Sequence, residues 1–216
     1  MKIFHKNSRK NEDETVPEEA PDSGHFYEKV EERLIGIYGA IDPENCGGLV
    51  GTLLSLRDSG RNEVLADASN PKSKTVVFYE PIKFLISSEG GFLNEMFSVY
   101  DVMRDVRSDC EIHTYGLGKI MSAAVLLMAA GTKKKRKVGK NCRFMLHSVS
   151  NGNFGAFHDL ENQMEETKKM QDRYVAALCS ESKMSEKKLR SIFSKKIDYF
   201  FDAQEAVKLG IADIIV

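Results

Sequence analysis

Strand-like and helix-like segments alternate along most of this sequence, and that alternation is its strongest constraint on the fold. From Leu34 onward, short apolar runs of strand length alternate with segments whose apolar residues recur every three or four positions. Repeated units of strand and helix favour parallel strands, because the chain must cross back over the sheet before the next strand begins. The pattern therefore predicts an α/β fold with mostly parallel strands and buried helices.

The predicted elements follow one another closely. The strand predictions share apolar residues and cover 34–38, 75–79, 82–86, 112–115 and 143–146. The helix predictions share apolar residues at helical spacing and cover 46–56, 92–106, 122–131, 157–180, 186–193 and 203–209. A polar stretch at 58–74 predicts a loop, and Gly116-Leu117-Gly118 predicts a turn. Residues 1–27 lack apolar periodicity and predict a flexible polar segment, which leaves 28–216 as the folded domain.

Bulk composition argues against several classes of protein. The net charge is −1, so charge favours neither a nucleic-acid partner nor a membrane surface. No apolar run approaches the roughly 20 residues of a membrane helix. The polar amino terminus lacks the apolar core of a signal peptide, so we expect a cytoplasmic protein. The four cysteines, at 46, 110, 142 and 179, show no metal-ligand spacing and are predicted to be small buried hydrophobes.

Three polar residues, Ser122, His147 and Asp198, are candidates for catalysis. Ser122 lies where a strand and a glycine turn give way to an apolar helix, beside main-chain N–H groups that a helix start leaves unpaired. His147 directly follows the predicted strand 143–146, and Asp198 lies in an apolar, aromatic setting. A serine nucleophile needs a base, an acid that orients the base and donors for the oxyanion, which these residue types could supply.

Each of the three residues also has an ordinary structural interpretation. A serine at a helix start is commonly an N-cap. A histidine after a strand is commonly structural or exposed, and an aspartate before aromatic residues commonly belongs to a turn or a cap. The spacing of the three residues does not by itself choose between these interpretations.

Ordered local motifs add a family resemblance from about Leu34 to the end of the chain. The segment 87–91 (SSEGG) looks like a Ser-Pro-Gly-Gly turn, and 118–122 (GKIMS) looks like a Gly-x-x-x-Ser nucleophile segment. The segment 143–147 (RFMLH) looks like an Arg-x-Met-x-His base segment, and 198–213 is similar to a closing stretch that begins with the catalytic aspartate. In these motifs the sequence resembles ClpP, the proteolytic subunit of the ATP-dependent Clp protease.

The resemblance implies a serine endopeptidase that works through an acyl-enzyme. Ser122 would be the nucleophile, His147 the general base, and Asp198 the residue that orients the base. The main-chain N–H groups of Gly91 and Ala123 would form the oxyanion hole. No cofactor or metal is implied.

The resemblance also implies a fold and an assembly. The fold would be a ClpP/crotonase-like spiral of repeated β-β-α units, with a protruding handle helix at about 157–180. Gly90, Val149 and Ser150 would bind substrate, and the segment after the base would let a peptide lie alongside as an added strand. Two heptameric rings, a homo-tetradecamer, would enclose a chamber for unfolded polypeptides that an AAA+ unfoldase delivers. Neither a nucleic acid nor a membrane is implied as a partner.

Several positions depart from the family pattern. Two extra residues lie in the stretch 114–118, and the loop near 58–74 is about a dozen residues longer than usual. Glu89 and Val149 replace family prolines, and Ala123 replaces the methionine that commonly follows the nucleophile. Lys83 and Leu85 stand where aromatic side chains line the docking cleft for the unfoldase, so docking to a standard unfoldase is not implied.

Three alternatives remain open from the sequence. The basic run 133–138 (KKKRKV) reads like a nuclear-localisation or nucleic-acid signal, but we predict a solvated basic turn between helix and strand. The chain could be a catalytically inactive structural subunit that mixes into rings with active partners. It could also be a crotonase-type acyl-CoA enzyme, whose superfamily shares a similar spiral fold and an oxyanion hole.

Overall fold

A seven-stranded, mostly parallel sheet organises the part of the chain that the computed structural model describes, residues 33–150, 152 and 154–216. The predicted polar segment 1–27 lies outside the described residues. The main path of the sheet runs in the order β1 (Leu34–Ile41), β4 (Ile82–Gly91), β5 (Ile112–Met121), β6 (Lys137–Val138) and β9 (Ile214–Ile215). Off this path, β7 (Arg143–Leu146) pairs with both β5 and β8 (Tyr199–Asp202). A separate antiparallel hairpin consists of β2 (Arg61–Leu65) and β3 (Thr75–Tyr79).

Helices occupy most of the connections between the strands. They are α1 (Pro43–Ser59), α2 (Leu93–Val106), α3 (Ala124–Ala129), α4 (Phe157–Glu181), α5 (Glu186–Ser194) and α6 (Ala203–Lys208). Within the sheet, β7 and β8 are the only antiparallel neighbours among the described strands. This mixed architecture confirms the prediction of an α/β fold with mostly parallel strands.

The core lies between the sheet and the helices that cover it. In β4, Ile82, Phe84 and Ile86 are fully buried while their neighbours are at least partly exposed, as the two-residue period of a strand requires. Every side chain of α3 is buried, which explains its uniformly apolar sequence. At the start of α1, the Asp42 carboxylate accepts a hydrogen bond from the main-chain N–H of Asn45, a capping interaction that fixes where the helix begins.

The strands extend further than the sequence indicated. The predicted loop 58–74 contains β2, whose side chains are mostly exposed and therefore show no alternation of apolar and polar residues. The predicted turn at 116–118 belongs to β5, which is ten residues long. Ile86 pairs with Gly116 and Ser88 with Ile120, so β5 bulges by two residues relative to β4. The bulge overlaps the stretch in which the family pattern indicated two extra residues.

The helix after Ser122 begins later than predicted. Its first residue is Ala124 and its last is Ala129. Ser122 lies outside the helix with φ of 53°, in the left-handed region that residues other than glycine rarely adopt. Phe92, which the predicted apolar stripe of α2 included, precedes that helix and is 65% exposed.

The basic run 133–138 is only in part the solvated turn that the sequence suggested, since Lys133, Lys134 and Lys135 are exposed but the residues after them are not. Arg136 is 3% exposed, and Val138 is fully buried in β6. The Arg136 guanidinium contacts both carboxylate oxygens of Asp213, at 2.6 and 2.8 Å, and also donates to the carbonyls of Ala129 and Glu181. The run is therefore partly a structural element, because one of its cations is fully bonded inside the fold.

Burial changes along the 25 residues of α4. Its buried residues are Tyr174, Val175, Leu178 and Glu181, which all lie in the carboxyl-terminal part. In the amino-terminal part, Phe157 and Met164 are exposed. None of the described helices is long and apolar enough to cross a membrane.

Candidate active site

The turn between β5 and α3 presents Ser122. Its main-chain N–H donates to the carbonyl of Met145 in the neighbouring strand β7, at 2.8 Å. Its own carbonyl accepts from the N–H of Val125, at 3.1 Å, and from the hydroxyl of Tyr174, at 2.9 Å. These bonds hold the serine in a left-handed conformation that costs of order 1–3 kcal/mol for such a residue. Strain of this kind is common at functional sites, where it aims a side chain outward.

The side chains of Ser122 and His147 form a hydrogen bond. The Oγ atom of Ser122 lies 2.8 Å from Nε2 of His147, within the range for a nucleophile and its base. The sheet creates this proximity. Because β5 and β7 are parallel neighbours with Met121 opposite Met145, the residues that follow the two strands lie close together.

Asp198 lies on the other side of the imidazole. Its Oδ1 atom is 3.7 Å from Nδ1 of His147, which is an ion-pair distance but too long for a hydrogen bond. The antiparallel register of β7 and β8 pairs Leu146 with Tyr199. His147 and Asp198 are the adjacent positions just beyond the two strands and therefore lie opposite each other. The structure therefore brings all three predicted residues together, with the serine–histidine contact formed and the histidine–aspartate contact longer.

A cleft of about 340 Å³ opens beside Ser122 and His147. Four of the other residues predicted for binding or for the oxyanion hole line it, namely Gly91, Ala123, Val149 and Ser150. One wall consists of α4 residues, namely Gln163, Glu166, Thr167, Met170 and Tyr174. Its volume falls within the range of about 300–1,000 Å³ that is typical of ligand-binding clefts.

Gly90 was predicted to bind substrate, but it does not line the cleft. It is buried directly behind the nucleophile turn, with φ of 93°. A Cβ atom at this position would lie 2.7 Å from both the Met121 carbonyl oxygen and the Ser122 Cβ. The absence of a Cβ at Gly90 therefore lets β4 approach the nucleophile turn closely.

Two residues of α4 contact the site, and no sequence pattern had indicated either contact. Gln171 Oε1 accepts from the main-chain N–H of Val149 at 3.1 Å, and Tyr174 donates to the Ser122 carbonyl. Burial raises the pKa of Tyr174, so its hydroxyl stays protonated and can donate throughout the neutral range. The sequence pattern had placed Tyr174 only in an apolar stripe.

Among the residues that the structure describes, no group of three or more His, Cys, Asp or Glu side chains has a metal-binding arrangement. Three of the four cysteines are buried and all four are unpaired thiols, as expected of small hydrophobes. Burial raises the pKa of Cys142 to about 11, so this thiol is not a nucleophile at neutral pH.

The fold and the site define an α/β protein whose mostly parallel sheet brings a hydroxyl and an imidazole to one cleft, with a carboxylate on the far side of the imidazole. A sequence model of the Clp protease family matches residues 73–216, two thirds of the chain. The chain belongs to the Clp protease family, as its motifs had indicated.

Individual relatives agree with this assignment. The "ATP-dependent Clp protease proteolytic subunit 4" of Rhodococcus jostii is 34% identical over 137 residues, which cover 63% of this chain and 69% of that protein. Subunit 2 of Chlamydia pneumoniae is 31% identical over 135 residues, 62% of this chain and 64% of that protein. The proteolytic subunit of Deinococcus radiodurans is 28% identical over 187 residues, 87% of this chain and 81% of that protein. The chain thus covers slightly less than two thirds of the Chlamydia relative.

Proposed function

We propose that this chain is a serine endopeptidase subunit that hydrolyses the peptide bonds of unfolded polypeptides. The observation that carries the proposal is the 2.8 Å contact between Ser122 Oγ and His147 Nε2 at the edge of a peptide-sized cleft. Family membership supports it, because the matched family is a protease family. The same membership argues against a crotonase-type acyl-CoA enzyme.

The first chemical step is attack on the substrate carbonyl. Ser122 Oγ forms a bond to the carbonyl carbon while Nε2 of His147 takes the hydroxyl proton. The carbonyl oxygen becomes an oxyanion, which accepts hydrogen bonds from the N–H groups of Gly91 and Ala123. One such donor is typically worth about 3–4 kcal/mol of barrier in other hydrolases.

The intermediate then collapses. The carbon–nitrogen bond breaks, His147 returns its proton to the leaving amine, and an acyl-enzyme remains on Ser122. Water, activated by the same imidazole, releases the acyl group. Asp198 holds the imidazole tautomer during these steps, which requires its 3.7 Å separation from Nδ1 to shorten by somewhat less than 1 Å.

The assembly we propose follows the family. In this proposal the described part of the predicted domain 28–216 is a spiral of β-β-α units, and the exposed amino-terminal part of α4 acts as the handle between two heptameric rings. Exposed apolar side chains such as Phe157 and Met164 support this role, since an isolated surface helix has little reason to present them. The relatives are named as ATP-dependent, which supports an ATPase partner. We propose a cytoplasmic location on the sequence expectation alone. Lys83 and Leu85 replace the aromatic side chains of the family's docking cleft, so we do not expect this chain to bind a standard unfoldase there.

The test combines a fluorogenic short peptide with a serine-directed fluorophosphonate on the full chain. Wild-type protein is expected to turn over the peptide and to become labelled, and Ser122→Ala is expected to lose both properties. Ser194→Ala, at an exposed serine at the end of α5, is the matched control and should behave as wild type. Unchanged turnover or labelling in Ser122→Ala would show that the nucleophile is a different group.

One observation favours the alternative of a catalytically inactive ring subunit, namely the long contact between His147 and Asp198. Negative-stain imaging of the same preparation separates the two proposals. Rings that incorporate the phosphonate support the peptidase, whereas rings that never incorporate it support a structural subunit.

A further inference from the structure

Tyr174 makes a direct contact between α4 and the main chain of the proposed nucleophile. Its hydroxyl donates to the carbonyl oxygen of Ser122 at 2.9 Å, across 52 positions of sequence. The side chain is 3% exposed, and its ring stacks on Phe193 with centroids 6.2 Å apart. The donor is therefore rigidly held, with its ring packed between α4 and α5.

The carbonyl of Ser122 shares one peptide unit with the N–H of Ala123. A trans peptide is planar, so its C=O and N–H bonds point in opposite directions and rotate together. Whatever fixes the direction of the Ser122 oxygen also fixes the direction of the Ala123 hydrogen. That hydrogen belongs to one of the two proposed oxyanion donors, and Ala123 lines the cleft.

This peptide unit needs an external restraint. Ser122 has φ of 53°, a conformation that carries strain and could relax by rotation of the adjoining peptide. The other partner of the Ser122 carbonyl is the N–H of Val125, at 3.1 Å, in the first turn of a helix of only six residues. The phenol of Tyr174 is buried and lies on a different element, so it restrains the carbonyl independently of the first turn of that short helix.

We propose that Tyr174 is a positioning residue, which holds the Ser122–Ala123 peptide so that the Ala123 N–H faces the developing oxyanion. The inference rests on the proposed peptidase function and adds a residue to it. Tyr174 itself touches no reacting atom. Its hydroxyl acts through the nucleophile's own main chain, and its effect therefore belongs to the transition state rather than to substrate binding.

The test is Tyr174→Phe, which removes one oxygen and keeps the ring packing. The expected result is a fall in kcat of roughly tenfold to a hundredfold, below the 10²–10³ produced when an oxyanion donor is deleted outright. KM for the peptide should stay within about twofold, because the ground state gains little from the oxyanion hole. Affinity for a peptide boronate, which forms a tetrahedral adduct with the serine, should fall by about the same factor as kcat.

Tyr100→Phe is the matched control. Tyr100 is also 3% exposed, and its hydroxyl donates to Glu181 rather than to the nucleophile turn. It should lower thermal stability and leave kcat and boronate affinity unchanged. Tyr174→Met, which lacks the hydroxyl but can refill the space, should repeat the kcat effect of Tyr174→Phe.

The outcomes separate the two proposals. An active wild type whose Tyr174→Phe variant keeps its kcat and its boronate affinity would overturn the positioning role and leave the peptidase intact. A rise in KM alone would also overturn it, since that pattern indicates a binding role. A folded wild type that neither reacts with the phosphonate nor cleaves peptide would overturn the proposed function, and this inference with it.

Discussion

Glu181, the last residue of α4, accepts two parallel hydrogen bonds from Arg107, which follows α2. The Nη1 and Nη2 atoms of Arg107 lie 3.0 and 2.8 Å from the two carboxylate oxygens. The Glu181 side chain is only 5% exposed, and Lys133 and Tyr100 also donate to it. A buried carboxylate with these partners ties the end of α4 to α2 and to the basic run 133–138.

Removing the charge of Glu181 should destabilise the fold. In Glu181→Gln, Arg107 and Lys133 lose their common anion, and breaking a buried pair in this way typically costs about 3 kcal/mol or more. Urea unfolding followed by circular dichroism measures the change. Glu165→Gln, on the same helix in an exposed pair with Lys169, should change stability by less than about 0.5 kcal/mol. Equal effects of the two substitutions would contradict the network.

The contribution of Glu181 should depend on pH. Burial alone would raise the pKa of this carboxyl, but the hydrogen bonds and charges of Arg107 and Lys133 outweigh burial and lower it. A carboxyl with a lowered folded pKa stabilises fully above its unfolded pKa, about 4.3, and loses that contribution as pH falls through the folded pKa. The stability gap between wild type and Glu181→Gln should therefore narrow from pH 6 to pH 3. A gap that stays constant over this range would show that the carboxylate is not the stabilising form.

Substitutions in the basic run 133–138 should affect stability at Arg136 but not at Lys134. Arg136→Lys cannot reproduce the contacts with both oxygens of Asp213 and should lower stability by about 2 kcal/mol or more, since a bidentate fork is not replaced by a single ammonium. Lys134→Gln, at an exposed neighbouring position, should be nearly neutral. Thermal denaturation of the two variants gives the comparison. If the run were only a solvated surface, the two substitutions would have similar effects.

Gly90 should tolerate no side chain. In Gly90→Ala, the new Cβ would meet the Met121 carbonyl and the Ser122 Cβ at 2.7 Å, and φ of 93° adds strain of about 1–3 kcal/mol. We expect lower stability together with at least a tenfold loss of kcat, because the nucleophile turn must move. Gly47→Ala, in α1 with no neighbour within 4 Å of the added Cβ, should be neutral or slightly stabilising. A Gly90→Ala variant with normal kcat would show that the turn has room to adjust.

Asp198→Asn tests the longer contact in the site. An amide can neither hold the required tautomer nor stabilise the imidazolium, and the corresponding change in another serine hydrolase costs about 10⁴ in kcat. Asp198 is half-exposed, so we expect a loss of roughly 10² to 10⁴, smaller than that of Ser122→Ala. Single-turnover hydrolysis of the fluorogenic peptide measures it. Asp172→Asn, in an exposed pair with Arg190, is the control. A loss below about threefold would remove Asp198 from the mechanism.

Sequence patterns predicted the long elements and the three residues that the structure brings together, since both depend on local signals. Amphipathic spacing located α2 and α4, and the motif order selected Ser122, His147 and Asp198. Strands β6 and β9 went unnoticed because each has only two residues, too few to show a period. The left-handed turn at Ser122 was also missed, because serine rarely adopts a positive φ and so does not indicate one.

Contacts between distant side chains were beyond the reach of sequence patterns. The apolar stripe of α4 correctly indicated that Tyr174 is buried, but the partner of its hydroxyl lies on another element. Arg136 looked like one cation among several, but its partners at Asp213, Ala129 and Glu181, which lie on other segments, explain its burial. Such pairings depend on how the sheet brings separate segments together, which periodicity does not encode.

The antiparallel pairing of β7 with β8 determines where this chain can tolerate insertions and deletions. His147 and Asp198 are the next pair of positions after the paired residues Leu146 and Tyr199. The connecting segment 148–197, which contains α4 and α5, therefore leaves the sheet and returns to it at the same place. Residues could be added to or removed from this connecting segment without separating the imidazole from the carboxylate, provided that β8 keeps its register with β7. A shift of β8 by a single residue would instead turn the carboxylate to the opposite face of the sheet.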